Sequence, residues 1–377
     1  MSNMIDCPEL RAACAEQLRA RETQTAALTA FIGLDGFVDE IIHVVDKREN
    51  AEKFDRITHI AKLGERISAA AGRSTNVELV RKLTKLGGNG PIMANALASF
   101  GLKVTYVGAL GWPNLHPVFE PFSRRAEVHS IGEPGGTDAL EFEDGKLIFG
   151  KLTQLAEITW PNIQARYGRE KFAEKFHTAS LVGLVNWTML PYMSDIWSAI
   201  QRELCPDVTG PRRRMFIDLA DPEKRSNNDI ARALELIASF NRYFDVMLGL
   251  NEKEACEISR VLGLAPKPHT PDGLAAMAAE INKHVPVETV VVHPTAYALA
   301  VTNGAVCQVR GPYCAKPFIT TGAGDHFNSG FCVGKLLGLN NEMSLLAGVA
   351  TSGFYVRTAK SPTLSDIAGL LTDWPKD

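Results

Sequence analysis

Short apolar runs recur along the chain, each separated from the next by a longer amphipathic or polar stretch. Leu28–Leu34, Val104–Leu110, Leu181–Asn186, Met215–Leu219, Tyr243–Leu248 and Thr289–His293 have the length and composition of buried strands. Between them the period changes. Met93, Leu97 and Phe100 are spaced i, i+4, i+7, and Ile230, Leu234 and Ile237 line one face of a second helix. Residues 7–20 fit a short helix, and Asn341 to Val356 reads as helical. Two hairpins interrupt the alternation. One runs from Ala139 to Phe149 around Asp144-Gly145, the other from Tyr297 to Arg310 around Asn303-Gly304. Residues 41–86 are polar and mixed and carry no clear period. Strands alternating with helices predict an α/β fold with a mainly parallel sheet. A hairpin inside that alternation predicts a side sheet or lid.

In such sheets ligands gather at the carboxyl ends of the strands. Polar residues recur at those ends here: Asp35, Asp39, Asn186, Asp218, Asn251, Glu254 and His293. Two glycine-rich stretches stand out. Leu86-Gly87-Gly88-Asn89-Gly90-Pro91 is a tight loop, with Pro91 suited to the first turn of the helix behind it. Ile319-Thr320-Thr321-Gly322-Ala323-Gly324-Asp325 runs into a helix carrying Phe327 and Phe331, with Gly330 and Gly334 leaving room for a neighbour. A helix N-terminus has unpaired N–H donors and attracts anions. Asp325 lies in that first turn, and spacing alone leaves it open between a helix cap and a catalytic base.

Composition narrows the class. With 377 residues, 45% hydrophobic and 22% charged, the chain fits one large domain plus a smaller appendage. A net charge of −3 gives no reason to expect nucleic-acid binding, and Arg212-Arg213-Arg214 reads as a solvated loop. The seven cysteines are scattered and form no CxxC pair, as expected of reduced thiols in a cytoplasmic protein. No apolar run approaches a membrane span, and the N-terminus has Asp6, Glu9 and Glu16 but no apolar signal core.

Four pieces, in order from about residue 28, resemble the ribokinase-like (PfkB) carbohydrate kinases. Thr321-Gly322-Ala323-Gly324-Asp325 with Phe327, Gly330 and Phe331 is similar to the C-terminal signature of that family. Gly87-Gly88-Asn89-Gly90 resembles its N-terminal glycine signature, Asn251 to Glu254 its Asn-x-x-Glu motif, and the strand to Asp35 and Asp39 its first strand. The resemblance implies a three-layer Rossmann-like sandwich with a small β lid. It divides the chain into an N-terminal helical extension over 1–26 and a kinase domain over 27–377, with lid segments near 40–60 and 136–152. It implies an ATP-dependent phosphotransferase acting on a sugar hydroxyl, with Asp325 as general base and Gly322, Ala323 and Gly324 as the anion hole. Asp35, Asp39, Gly88 and Asn89 would hold the sugar, Asp39 being favoured over Asp35. Asn251, Thr321, Asn186 and His293 would face ATP, and Glu254 would serve Mg2+. The partner is a small sugar or nucleoside acceptor, and an exposed lid edge favours a homodimer through the lid.

Some positions depart from the family pattern. Ile319 replaces an Asp that helps bind an activating monovalent cation, and Ile92 replaces an Asn. His293-Pro294-Thr295-Ala296-Tyr297 stands where a glycine pair is usual, and the bulk of His326 is expected to narrow the acceptor pocket. Asp218-Leu219-Ala220-Asp221-Pro222 is similar to nucleoside-kinase members and keeps that acceptor class open. A catalytically silent sugar- or nucleotide-binding regulator on the same fold is a further alternative.

Overall fold

The computed structural model describes residues 7–375, so residues 1–6 of the expected extension lie outside the described residues. The strands, in chain order, begin with β1 (Thr29–Leu34), β2 (Phe37–Arg48), β3 (Phe54–Arg56), β4 (Leu79–Gly87) and β5 (Lys103–Gly108). There follow β6 (Glu127–Ser130), β7 (Gly135–Glu141), β8 (Lys146–Lys151), β9 (Leu181–Val185) and β10 (Arg213–Asp218). The last four are β11 (Phe244–Leu250), β12 (Thr289–Val292), β13 (Tyr297–Thr302) and β14 (Ala305–Arg310).

Nine of these form one sheet in the order β14-β13-β12-β11-β10-β9-β1-β5-β6. β1 pairs in parallel with β5 and β9, as does β10 with β9 and β11, whereas β13 and β14 close one edge as an antiparallel hairpin. Parallel strands covered on both faces need apolar side chains on both, which is why they read as unbroken hydrophobic runs. One face is covered by helices between Trp160 and His284, with Phe172, Phe176, Trp197 and Phe240 fully buried. The other is covered by the helices Pro8–Arg21, Asn89–Ser99, Ala323–Leu336, Asn341–Thr358 and Leu364–Thr372. Each fully buried Leu or Phe adds about 1.5–3 kcal/mol to this packing.

The helix expected over 7–20 spans Pro8–Arg21 and belongs to this core. Cys14, Ala15 and Leu18 are fully buried. Arg19 donates to the carbonyl of Ala368 at 3.4 Å and to the Thr372 hydroxyl at 3.2 Å.

The smaller sheet has the order β3-β2-β7-β8, with β4 paired to β2. It contains the hairpin expected over 139–149 and strands from the segments near 40–60 and 136–152, and it adds β4, which the mixed composition of 41–86 conceals. Its core is small: Ile42, Val44, Ile57, Leu63, Leu140 and Phe142. One placement differs from expectation. Asp39 does not follow a strand end but lies within β2, on the buried side of the lid.

The carboxyl ends of β1, β9, β10, β11 and β12 bring Asp35, Asn186, Asp218, Asn251 and His293 to one edge of the large sheet. The helix Ala323–Leu336 enters the same edge. Its interior is so crowded that a Cβ on Gly330 would stand 2.3 Å from the Thr351 hydroxyl oxygen. Glycine at this position lets the helix Asn341–Thr358 pack against it.

Candidate active site

Gly322 caps the helix Ala323–Leu336 at φ 95°, a backbone angle that favours glycine. As the first helical residues, Ala323 and Gly324 carry N–H groups that the helix cannot pair. The Ala323 N–H bends back to the Thr320 carbonyl at 3.2 Å. Asp325, in the first turn, is buried, and its Oδ1 accepts from Asn89 Nδ2 at 2.9 Å. Burial, with repulsion from Asp218 and Asp35, holds its pKa well above the ordinary aspartate range. The helix is locked beneath this residue, because Ser329 Oγ donates to the Asp325 carbonyl at 2.7 Å and packs on the Met93 carbonyl at 3.2 Å.

The two acidic residues after β1 have different environments. Asp35 is fully buried. Its Oδ2 accepts from the Asn89 N–H at 2.9 Å and Asn186 Nδ2 at 2.6 Å, and its Oδ1 from the Gly90 N–H at 2.9 Å, while the Tyr106 hydroxyl donates to the Asp35 backbone carbonyl at 2.6 Å. Burial still outweighs these donors and pushes its pKa up to about 6. Asp35 is therefore a hub joining β1, β9 and the helix Asn89–Ser99. Asp39 accepts from the Thr137 hydroxyl and pairs loosely with Lys85, 3.6 Å away. A Cβ on Gly87 would fall 2.3 Å from the Asp39 carboxylate, so the glycine is what lets this side chain into the site. Gly88, at φ 93°, turns the chain into the helix behind it.

Thr320, Ala323 and Gly324 form one wall of a cavity of about 290 Å3 that His293, Pro294 and Phe327 also line. His293 stacks at 4.7 Å on Phe327, and burial lowers its pKa to about 4, so it is a neutral ring. It lines that cavity, and Asn186 does not. At φ 61° it turns its amide back onto Asp35 and is no part of that cavity. Thr321 also faces away from the cavity, its hydroxyl taken by Lys146 of the lid and its carbonyl by the Tyr355 hydroxyl at 2.9 Å.

Asn251 and Glu254 form a reciprocal helix cap. Asn251 Oδ1 accepts the Glu254 N–H at 2.9 Å, and Glu254 Oε2 accepts the Asn251 N–H at 2.8 Å. The other oxygen, Oε1, accepts the Asp221 N–H at 2.8 Å. Burial and the charge of Asp218 push the Glu254 pKa up to about 7. Asp218, held by Asn328 Nδ2 at 2.9 Å and the Ala220 N–H at 2.8 Å, is pushed up to about 6 by burial and by Asp35.

The His326 ring stacks on Tyr355 at 3.7 Å, bonds the Gly322 carbonyl at 2.7 Å and the Ser361 hydroxyl at 2.9 Å, and lines a second cavity with Lys85 and Asn95. Ile319 contributes its backbone N–H to the Val356 carbonyl at 3.4 Å. Reasoning from the sequence also missed Tyr106, Lys85 and Lys146. An aromatic in a buried strand and lysines on polar strands carry no signal of their reach.

A buried carboxylate in the first turn of a glycine-capped helix, a cavity next to it and a second, smaller sheet are the features of a ribokinase-like sugar kinase. Solved structures agree in fold. The ribokinase of Arabidopsis thaliana, complexed with ribose and ATP, matches with a TM-score of 0.60 and 17% identity over 91% of this chain and 98% of that one. Phosphofructokinase-2 of Escherichia coli, with substrates and products, matches at 0.58 and 16% over 92% and 99%. The nucleoside kinase of Methanocaldococcus jannaschii matches at 0.58 and 15% over 92% and 98%. Within this class, the chain belongs to the prokaryotic ketohexokinase family, whose model matches residues 7–374. A ketohexokinase of Haloferax volcanii is 29% identical over 337 residues, which cover 89% of this chain and 88% of that protein. Among the described residues, no helix is long and apolar enough to cross a membrane.

Proposed function

We propose that this chain transfers the γ-phosphoryl group of ATP to a primary hydroxyl of a ketohexose, with Asp325 as general base. The observation that carries this reading is the seat of Asp325, a buried carboxylate of raised basicity at the mouth of a glycine-capped helix N-terminus. Asp325 takes the acceptor hydroxyl proton as the new O–P bond forms and the bond to the β-phosphate breaks, leaving ADP. Gly322 and Gly324 hold the phosphoryl oxygens through backbone N–H groups, joined by Ala323 when its N–H leaves the Thr320 carbonyl. Asp39, together with Gly88 and Asn89, holds sugar hydroxyls, because Asp35 is fully buried and already occupied by three protein donors. His293 and Phe327 shape the nucleotide cavity.

The residues around Glu254 fit a hydrated magnesium ion. Burial raises the pKa of both Asp218 and Glu254, with the charge of Asp35 adding to the first and that of Asp218 to the second, a strain that a nearby divalent cation relieves. Both Glu254 oxygens already accept a backbone N–H, so Asn251 and Glu254 would hold the ion through its waters. When bound, magnesium neutralises charge on the donor phosphates. A separate group, Asp221, Glu223 and Glu257, surrounds Lys253 and is a salt-bridge network.

The lid supports a homodimer. Leu83, Ile148 and Phe149 are each more than half exposed on lid strands, and β8 is an edge strand.

The test is ADP release over a panel of ketohexoses, aldoses and nucleosides. Turnover is expected with a ketohexose, and it is lost in Asp325→Asn with ATP binding retained. Turnover confined to nucleosides, or ligand binding without turnover of any acceptor, overturns the reading.

A further inference from the structure

The lid sheet is rich in lysine, and its lysines differ in what they touch. Lys82 pairs with Glu141, Lys85 with Asp39 and Lys151 with Asp138. Each ammonium has a carboxylate to answer it. Lys146, the first residue of β8, has a different seat. Its side chain leaves the lid and reaches the large domain, where Nζ donates to the Thr320 hydroxyl at 2.8 Å and to the Thr321 hydroxyl. Both partners are neutral. Thr320 lines the nucleotide cavity, and Gly322, one residue beyond Thr321, caps the helix that carries Asp325.

The charged groups facing Lys146 act at longer range. Glu141 lies opposite it across the hairpin, Asp39 stands on β2 and Lys85 on β4. None is in ion-pair contact with it. A half-buried ammonium held by two hydroxyls is poorly compensated. It also stands beside the loop whose N–H groups are suited to an anion. Such a seat becomes favourable once an anion is bound there.

We infer that Lys146 is a catalytic residue carried by the lid, and that its ammonium binds an oxygen of the transferring phosphoryl group when the lid is closed. This rests on the phosphotransfer reading above. Lys146 exchanges no proton; Asp325 receives the one released by the acceptor. The lysine supplies charge from the side opposite the helix N-terminus, so the phosphoryl group is held between a backbone dipole below and an ammonium above. Thr320 and Thr321 guide the ammonium to that place. The charge reaches the site only with the lid down, so one movement both excludes water and completes the electrostatic cradle.

Lys146→Met and Lys146→Arg test the inference in full-length protein assayed beside wild type. The Met variant is expected to lose kcat by about 100-fold, the scale of removing one oxyanion donor. Its KM for ketohexose should stay within about threefold, and its ADP affinity by calorimetry should not change, since ADP lacks the phosphoryl group in question. The Arg variant should regain about tenfold of the loss, because charge rather than shape is restored. A Met variant with kcat within threefold of wild type overturns the inference, as does a loss confined to KM or an Arg variant no better than Met. If wild-type protein itself turns over no acceptor, the underlying phosphotransfer reading fails instead.

Discussion

Along β9 every residue from Leu181 to Val185 is buried, whereas along β8 none is, and Ile148 and Phe149 are 58% and 52% exposed. The two sheets are held together differently. The large one is sealed on both faces by helices and anchors its polar residues through bonds such as the three donors on the Asp35 carboxylate. The lid has a core of six side chains and a surface of ion pairs, each worth about 0–1 kcal/mol. In the proposed reaction the groups that must not move sit in the slab: Asp325, the helix N-terminus and the cap around Glu254. Those proposed to meet substrate only after it arrives sit on the lid: Asp39 and Lys146. Regions of low local stability are where closing elements are found.

This division can be broken from either side. The largest effect is expected in the slab, where Asp325→Asn should lower kcat by about 10²–10⁴-fold while ATP still binds in calorimetry. Next comes the lid. Asp39→Asn should reduce kcat/KM for the ketohexose by roughly 10–100-fold, the scale of a charge-assisted hydrogen bond, with KM for ATP little changed. Asp35→Asn should act on folding instead, costing about 1–3 kcal/mol in urea unfolding because buried donors lose their acceptor. If Asp39→Asn unfolds the protein while Asp35→Asn only weakens sugar binding, the assignment of hub and sugar ligand is reversed.

A pH profile gives a smaller, graded effect. Asp325 must be ionised to accept a proton, and its pKa is raised above the ordinary 3.8. Activity is thus full above the raised pKa and falls as pH drops through it, about tenfold per unit. An acid limb at or below 3.8 would show that the repulsion from Asp218 and Asp35 is absent in the working enzyme. The smallest effect on turnover should come from Phe149→Glu on the outer lid face. It should shift the protein toward monomer in sedimentation while leaving the seat of Asp325 intact.

The same contrast explains what can be read from the sequence. β9, β10 and β11 are legible because a strand buried on both faces is an apolar run. β2 is not, for two reasons. Asp39 places a carboxylate on its buried side, and a register shift between Ile41 and Ile42 reverses the alternation halfway along. β4 has mostly exposed or half-exposed side chains, so no pattern marks it. The glycine-rich loops and Asp325 are legible because turns and helix starts need particular residues. The turning of Asn186 onto Asp35 is not, since it depends on a left-handed backbone at a residue that adopts other angles freely. Nor is the reach of Lys146, because alternation fixes which side of a strand a lysine leaves and not what its flexible end will find.

The helix Pro8–Arg21 has a consequence for the order in which the protein can be completed. Its buried face rests on the helix Leu364–Thr372, and Arg19 bonds a carbonyl 349 residues further along the chain. At about 5–20 residues per second, the ribosome takes roughly 20–70 s to make that partner. Throughout that interval Cys14, Ala15 and Leu18 have no place to be buried. This helix, made long before its partner, is thus among the last to dock, and until then its apolar face is open to chaperones or to another nascent chain.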